Sequence, residues 1–274
     1  MPEFRLLSAG RVRLSVHEGF LEDIQRLGWA EAGALEAVLL EEGGAATGRL
    51  PLAVASLPGR RERIALRRLV HGGLLGPLLG RAYLGTGRAT REIEVTAELR
   101  AAGAPVPLPV LAGGERIFGA WWALTVGTVF EEDTRDGLAW LAASPEPDAL
   151  LRVARAAGRA VRAFHDAGGR HADLHIKNLL VRDTTPPEVL LIDLDRARMT
   201  PGLTPGERMT QIMRLFRSLL KREVLPGIGT RGIAAFFGAY CGDDRALRRA
   251  LLRRVDRELR KVALHALRYR KSQN

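Results

Sequence analysis

Between His171 and Asn178 the chain reads HADLHIKN, and fifteen residues beyond Asn178 the run LLID ends at Asp193. Asp173, an amide five positions on at Asn178, and a second carboxylate after a short apolar strand are what a loop needs to hold a hydroxyl nucleophile and Mg²⁺ against a nucleotide γ-phosphate. That chemistry asks the protein chiefly for positioning and charge stabilisation, so each group takes its role from what the transition state lacks. Asp173 would accept or orient the proton of the acceptor hydroxyl, Asn178 would offer an amide oxygen to Mg²⁺, and Asp193 would supply it a carboxylate. Asp195, two residues further, points the same way if the strand geometry continues and is then a second metal carboxylate; otherwise it is a surface partner for Arg196 or Arg198. His175 is placed to approach the transferred phosphoryl as a donor, or else stands exposed in the loop. His171 is expected to brace the loop backbone, and His165 to pack.

A nucleotide site also needs a cation for the α and β phosphates, commonly a strand lysine paired with a helix glutamate. The first lysine in the chain is Lys177, so no residue before it can fill that place as an amine. The strand IALR sets Arg67 at the fourth position of such a pattern, with Glu92 in the following helix as its natural partner and Glu94 and Glu98 as rivals. A guanidinium carries a permanent charge and a fork that matches phosphate oxygens, so the exchange is chemically tolerable. Gly43, Gly44 and Gly48 cluster at an expected hairpin where a flexible backbone could close over phosphates, although glycine in a hairpin turn needs no ligand to explain it.

Around these residues the chain changes character. ALEAVLL, LPLAVASL and IALRRLV, separated by EEGGAATG and PGRRER, read as three antiparallel strands between Leu35 and Leu69. Residues 88–101 have helical spacing, and two further strands, at Val110 to Ala112 and Arg116 to Val126, flank a GGE turn. The first half is thus a five-stranded sheet with one helix. The second half is helical: residues 149–167 put Leu150, Val153, Ala157, Val161 and Phe164 on one face, and later helices are expected over 205–223, 230–240 and 243–270. Short strands at 178–181 and 189–192 carry the loop, and the division between halves, 1–126 and 127–274, falls near Gly127 as a hinge.

With 46% hydrophobic residues in 274 the composition is that of a globular chain, and one cysteine, Cys241, excludes an internal disulfide and reads as a small buried residue. Arg5, Arg11 and Arg13 break the early apolar runs, so export is not expected, and the apolar stretches are too short to span a bilayer. The net charge is +11, and residues 245–271 alone hold eleven Arg or Lys against Asp256 and Glu258. Such an excess fits an anionic partner, whether a lipid surface, an acidic glycolipid or nucleic acid, or else a solvated helix face. The absence of a nucleic-acid module and the presence of only three tyrosines argue against nucleic acid.

HADLHIKN with LLIDLD resembles the catalytic segments of the protein-kinase-like superfamily, and the chain is more narrowly similar to the lipopolysaccharide kinases, among them the 3-deoxy-D-manno-octulosonic acid (Kdo) kinases. LRRLVHGG at 66–73, YLGTGRATREIE at 83–94, HADLHIKNLLV with IDLDRAR, and RLFRSLLK at 214–221 carry the likeness. The resemblance implies an α+β, two-lobed protein-kinase-like fold with an antiparallel-sheet N-lobe and a helical C-lobe. It implies transfer of phosphate from ATP with Mg²⁺ to a Kdo hydroxyl of lipid A core, an anionic glycolipid, at the cytoplasmic face of the inner membrane. The family has Asn where His175 stands, so an acceptor such as heptose fits the same pattern. HADLHIKN is also similar to the HGDLHxxN of aminoglycoside phosphotransferases, whose cationic substrates call for an acidic acceptor lobe, whereas this one is basic. A kinase-like binding module without activity is the remaining reading, opposed by the presence of Asp173, Asn178 and Asp193.

Overall fold

The computed structural model describes residues 3–41, 52–71 and 80–255. The expected Gly43, Gly44 and Gly48 cluster, and most of the basic C-terminal stretch, lie outside the described residues. The chain folds as two compact units. The first comprises residues 1–101, 107–132 and 194–196, and the second residues 102–106, 133–193 and 197–274.

The first unit is a seven-stranded sheet of β1 (Phe4–Ala9), β2 (Val12–His17), β3 (Leu52–Ser56), β4 (Arg63–Arg68), β5 (Ala82–Leu84), β6 (Pro109–Phe118) and β7 (Trp121–Val129). Their order is β1-β2-β6-β7-β4-β3, with β5 beside β7, and all pairs are antiparallel. Strand alternation separates two faces. Val12, Leu14, Val16, Ile64 and Leu66 point to one, where α1 (Leu21–Arg26) and α2 (Ala34–Glu41) bring Ile24, Leu35 and Leu39 onto them. Trp122, Leu124 and Val126 point to the other, where Ala89 and Ile93 of α3 (Gly87–Ala101) pack.

Four expectations change here. ALEAVLL is the helix α2, not a strand, because Ala, Leu and Glu are strong helix formers and Leu35 and Leu39, four apart, share the buried face. The first seventeen residues contribute two strands joined at Gly10, which takes the left-handed φ of 53° that a tight turn requires. The GGE triplet is not a turn: β6 runs through it to Phe118, and a Cβ on Gly113 or Gly114 would fall 2.0 Å from the Arg13 carbonyl oxygen or 1.9 Å from that of Ala123. Those glycines permit close backbone approach within the sheet. Gly127, expected as a hinge, lies inside β7 with Leu66, Leu111 and Ile64 side chains packed over it, and the division between units comes after Glu132.

In the second unit α4 (Gly137–Ala142), α5 (Pro147–Asp166), α6 (Pro205–Lys221), α7 (Leu225–Cys241) and a helical stretch over 245–255 supply the core. Strands β8 (Thr134–Asp136), β10 (Leu179–Arg182) and β11 (Glu188–Leu191) form a small sheet in the order β11-β10-β8, and β9 (Gly169–Arg170) pairs with β12 (Arg198–Met199). A capping box starts α6: Thr204 Oγ1 accepts from the Glu207 amide and the Glu207 carboxylate accepts from the Thr204 amide. The helices line an apolar cavity of about 510 Å³ whose walls include Trp140, Val153, Ile212, Phe236 and Leu252. Cys241 is buried, as expected. No helix among the described residues is long and apolar enough to cross a membrane.

Candidate active site

The loop that follows β9 is held by its own side chains. His171 is buried; its Nδ1 accepts from the Asp173 amide at 3.1 Å, and its Nε2 donates to the Ile192 carbonyl at 3.1 Å. Burial pushes its pKa down, so it works as a neutral ring with one donor and one acceptor. It braces the backbone, as the sequence suggests. Asn178 Nδ2 donates to the Asp173 carbonyl at 2.9 Å, and the Asn178 carbonyl accepts from the Ile192 amide at 3.0 Å. The backbones of Asp173, Asn178 and Ile192, the last adjoining Asp193, are therefore fixed to one another within the second unit.

These bonds also orient the amide. With Nδ2 spent on the loop, Asn178 has its side-chain oxygen left to offer a hard cation, the donor type Mg²⁺ prefers. Asp193 follows β11 with a left-handed φ of 59° and is exposed. Among the described residues no cluster of three His, Cys, Asp or Glu forms a self-sufficient metal site. An amide and a carboxylate fit Mg²⁺ that completes its shell with nucleotide phosphates and water.

Asp173 is 76% exposed and open to an acceptor, with His175 Nε2 3.7 Å from its Oδ2. That separation is too long for a hydrogen bond. His175 Nδ1 is buried without a partner, so the proton is less costly on Nε2, toward Asp173. Burial lowers the pKa of His175 and Asp173 raises it, with the net shift downward.

Helix α6 supports the loop through Gln211, which no quoted motif includes, and through Arg214 and Ser218 of the RLFRSLLK stretch, to which the sequence alone gives no role. Gln211 Oε1 accepts from the His171 amide at 2.7 Å, Arg214 donates to the Ala172 and His171 carbonyls, and Ser218 Oγ accepts from the Ile176 amide at 3.0 Å. Their spacing of three and four puts them on one helix face. Gln211 and Ser218 are buried, and a polar stripe on the core side of an amphipathic helix was the available signal.

In the first unit Arg67 on β4 donates to Glu92 on α3, whose side chain is 5% exposed. The expected pair therefore forms, while Glu94 lies 4.0 Å from Arg91. The alternation that would have aligned Asp195 with Asp193 does not hold, because β11 ends at Leu191 and Asp193 and Arg196 both have φ of 59°. Asp195 is instead gripped by Arg88, with Nε to Oδ1 at 2.8 Å and Nη2 to Oδ2. Arg88 lies over the Tyr83 ring at 4.9 Å, and Tyr83 stacks on His71 at 4.0 Å. A carboxylate held by both arms of a guanidinium has its charge answered, so Asp195 is read as an ion-pair partner of Arg88 rather than of Arg196 or Arg198.

An antiparallel-sheet unit in which a strand arginine pairs with a buried helix glutamate, and a helical unit with a braced Asp–Asn–Asp loop, define a protein-kinase-like phosphotransferase. The fold is shared with a solved structure described as WaaP in complex with acyl carrier protein, at TM-score 0.53 and 20% identity, over 90% of this chain and 99% of that one. The chain is 32% identical over 189 residues to the 3-deoxy-D-manno-octulosonic acid kinase of Vibrio cholerae, covering 68% of this chain and 76% of the relative. The enzyme of the same name from Photobacterium profundum is 32% identical over 169 residues, 60% of this chain and 68% of the relative. Residues 56–240 match the model of the lipopolysaccharide kinase (Kdo/WaaP) family, and the chain belongs to that family.

Proposed function

We propose that the protein transfers the γ-phosphoryl group of ATP to a hydroxyl of Kdo attached to lipid A, at the cytoplasmic face of the inner membrane. The observation that carries this reading is the hydrogen-bonded frame in which Asn178 ties its amide to the Asp173 carbonyl and its carbonyl to Ile192. Family membership and the names of the relatives support the acceptor.

In the reaction the acceptor oxygen attacks the γ-phosphorus, the bond from that phosphorus to the β-bridging oxygen breaks, and the hydroxyl proton passes to Asp173. His171 and Gln211 hold the Asp173 segment still, so the carboxylate meets the hydroxyl without paying for loop ordering. His175, neutral and protonated on Nε2, is available as a donor beside Asp173. Asn178 and Asp193 would hold Mg²⁺, which when bound would neutralise phosphate charge. Arg67, oriented by Glu92, serves the α and β phosphates.

Asp173→Ala and Asp193→Ala are each expected to abolish ATP-dependent phosphorylation of a Kdo-containing acceptor, followed by mass spectrometry, with an unchanged melting temperature. Turnover at the wild-type rate in either variant would remove the assignments.

A further inference from the structure

The end of the β6–β7 hairpin is apolar and faces solvent. Phe118 is 62% exposed and Ile117 46%, and Leu84, whose β5 position pairs with Trp121, is 71% exposed. The Phe118 and Trp121 rings lie 6.2 Å apart. From Ile117 to Trp122 there is no charged residue. Soluble surfaces carry scattered exposed apolar side chains, but several gathered at one protruding turn form a patch that needs an occupant.

The charge just below the tip indicates which occupant. Arg116 and Arg13 lie over the Trp122 ring at 5.4 and 5.5 Å, and neither has an ion pair among the described residues. Glu115 is answered by Arg11 at 2.5 Å, and Glu36 by Arg68 and by Arg81 at 3.1 Å, which leaves Glu31 as the acidic neighbour. An aromatic and aliphatic tip over a cationic collar has the layering of a bilayer interface, with acyl chains beneath anionic headgroups.

We propose that this hairpin tip, with Leu84 beside it, docks the protein onto an anionic phospholipid bilayer: Phe118, Ile117, Leu84 and Trp121 enter the acyl boundary and Arg13 and Arg116 meet the headgroup phosphates. The inference deepens the proposed function, which places the acceptor at such a surface, but vesicle binding can be read without catalysis.

Full-length protein is mixed with vesicles of phosphatidylcholine alone or with added phosphatidylglycerol, and the bound fraction is measured by sedimentation. Wild type is expected to bind the anionic vesicles, and Ile117→Ser with Phe118→Ser to weaken that binding at least about tenfold. Arg13→Gln with Arg116→Gln should weaken it and flatten its salt dependence. An environment-sensitive dye on Ala120→Cys, with Cys241 buried, should shift to the blue on anionic vesicles only. The tip variant should keep its rate on a deacylated, water-soluble Kdo acceptor, which shows that it folds, and lose rate on the vesicle-embedded one. Equal vesicle binding by wild type and tip variant would overturn the proposal, as would no vesicle binding at all, or self-association abolished by the tip substitutions. If wild type phosphorylates no Kdo acceptor while the tip substitutions still remove vesicle binding, the docking surface stands and the proposed acceptor falls.

Discussion

Arg67 is the residue whose chemistry departs most from the usual lysine, and its pairing with Glu92 tells how it should respond to substitution. A guanidinium can give one arm to the carboxylate and others to phosphate oxygens, whereas an ammonium is a single point of charge. Arg67→Lys is therefore expected to raise KM for ATP about tenfold while lowering kcat less. Arg67→Ala should raise KM further and also lower the melting temperature, because it withdraws a cation from a carboxylate whose side chain is 5% exposed. Steady-state kinetics with ATP varied at saturating acceptor separates the two. At this scale much of the site is directly legible in the sequence. HADLHIKN and LLID are local patterns, and Asp173, Asn178 and Asp193 stand within twenty-one residues of one another. The Arg88–Asp195 pair is not legible, because its partners are 107 positions apart and no periodicity joins them.

Helix α6 carries the element-scale expectation. Gln211 and Ser218 each accept one loop amide, so Gln211→Leu and Ser218→Ala leave the His171 or Ile176 amide without its partner. Each substitution is expected to cost about 1–3 kcal/mol, read as a shift in urea midpoint. Each should also lower kcat on the Kdo acceptor more than it alters KM for ATP, since the loop and not the nucleotide contacts is loosened. Helices are the more legible elements: the spacing of Val153, Val161 and Phe164 points to a helix over 149–167, and α5 lies at Pro147–Asp166. Strands are harder. ALEAVLL is apolar enough to suit either period, and the Leu35–Leu39 pairing that decides it depends on the sheet it covers. The glycines of β6 imitate a turn in sequence because close packing of strands and reversal of the chain both favour a missing side chain.

At the scale of the whole molecule, acid should unfold this chain by way of its buried imidazoles. His165 is fully buried against Tyr240, its Nδ1 2.7 Å from the hydroxyl, and burial lowers its pKa from 6.5 to about 3. As pH falls below 6.5 the unfolded chain takes up this proton first, so stability drops by about 1.4 kcal/mol per pH unit until the folded pKa is reached. His171, shifted in the same direction by the same cause, steepens the fall. Urea midpoints measured between neutral pH and about pH 5 should show this slope, and His165→Asn should flatten it while lowering stability at neutral pH. The division into a sheet-rich and a helical unit is visible as a change of pattern along the chain, but its position is not. Residues 102–106 group with the second unit and 194–196 with the first, exchanges that only neighbours distant in sequence reveal.

One consequence of the Arg67–Glu92 pair reaches beyond catalysis. Reagents that identify nucleotide-binding enzymes by acylating the amine that grips the phosphates depend on a nucleophilic nitrogen there, and a guanidinium that stays protonated supplies none. The first amine side chain after the N-terminus is that of Lys177. Tagging of that kind would have to rely on Lys177, which stands in the loop between Asp173 and Asn178, and not on the strand position.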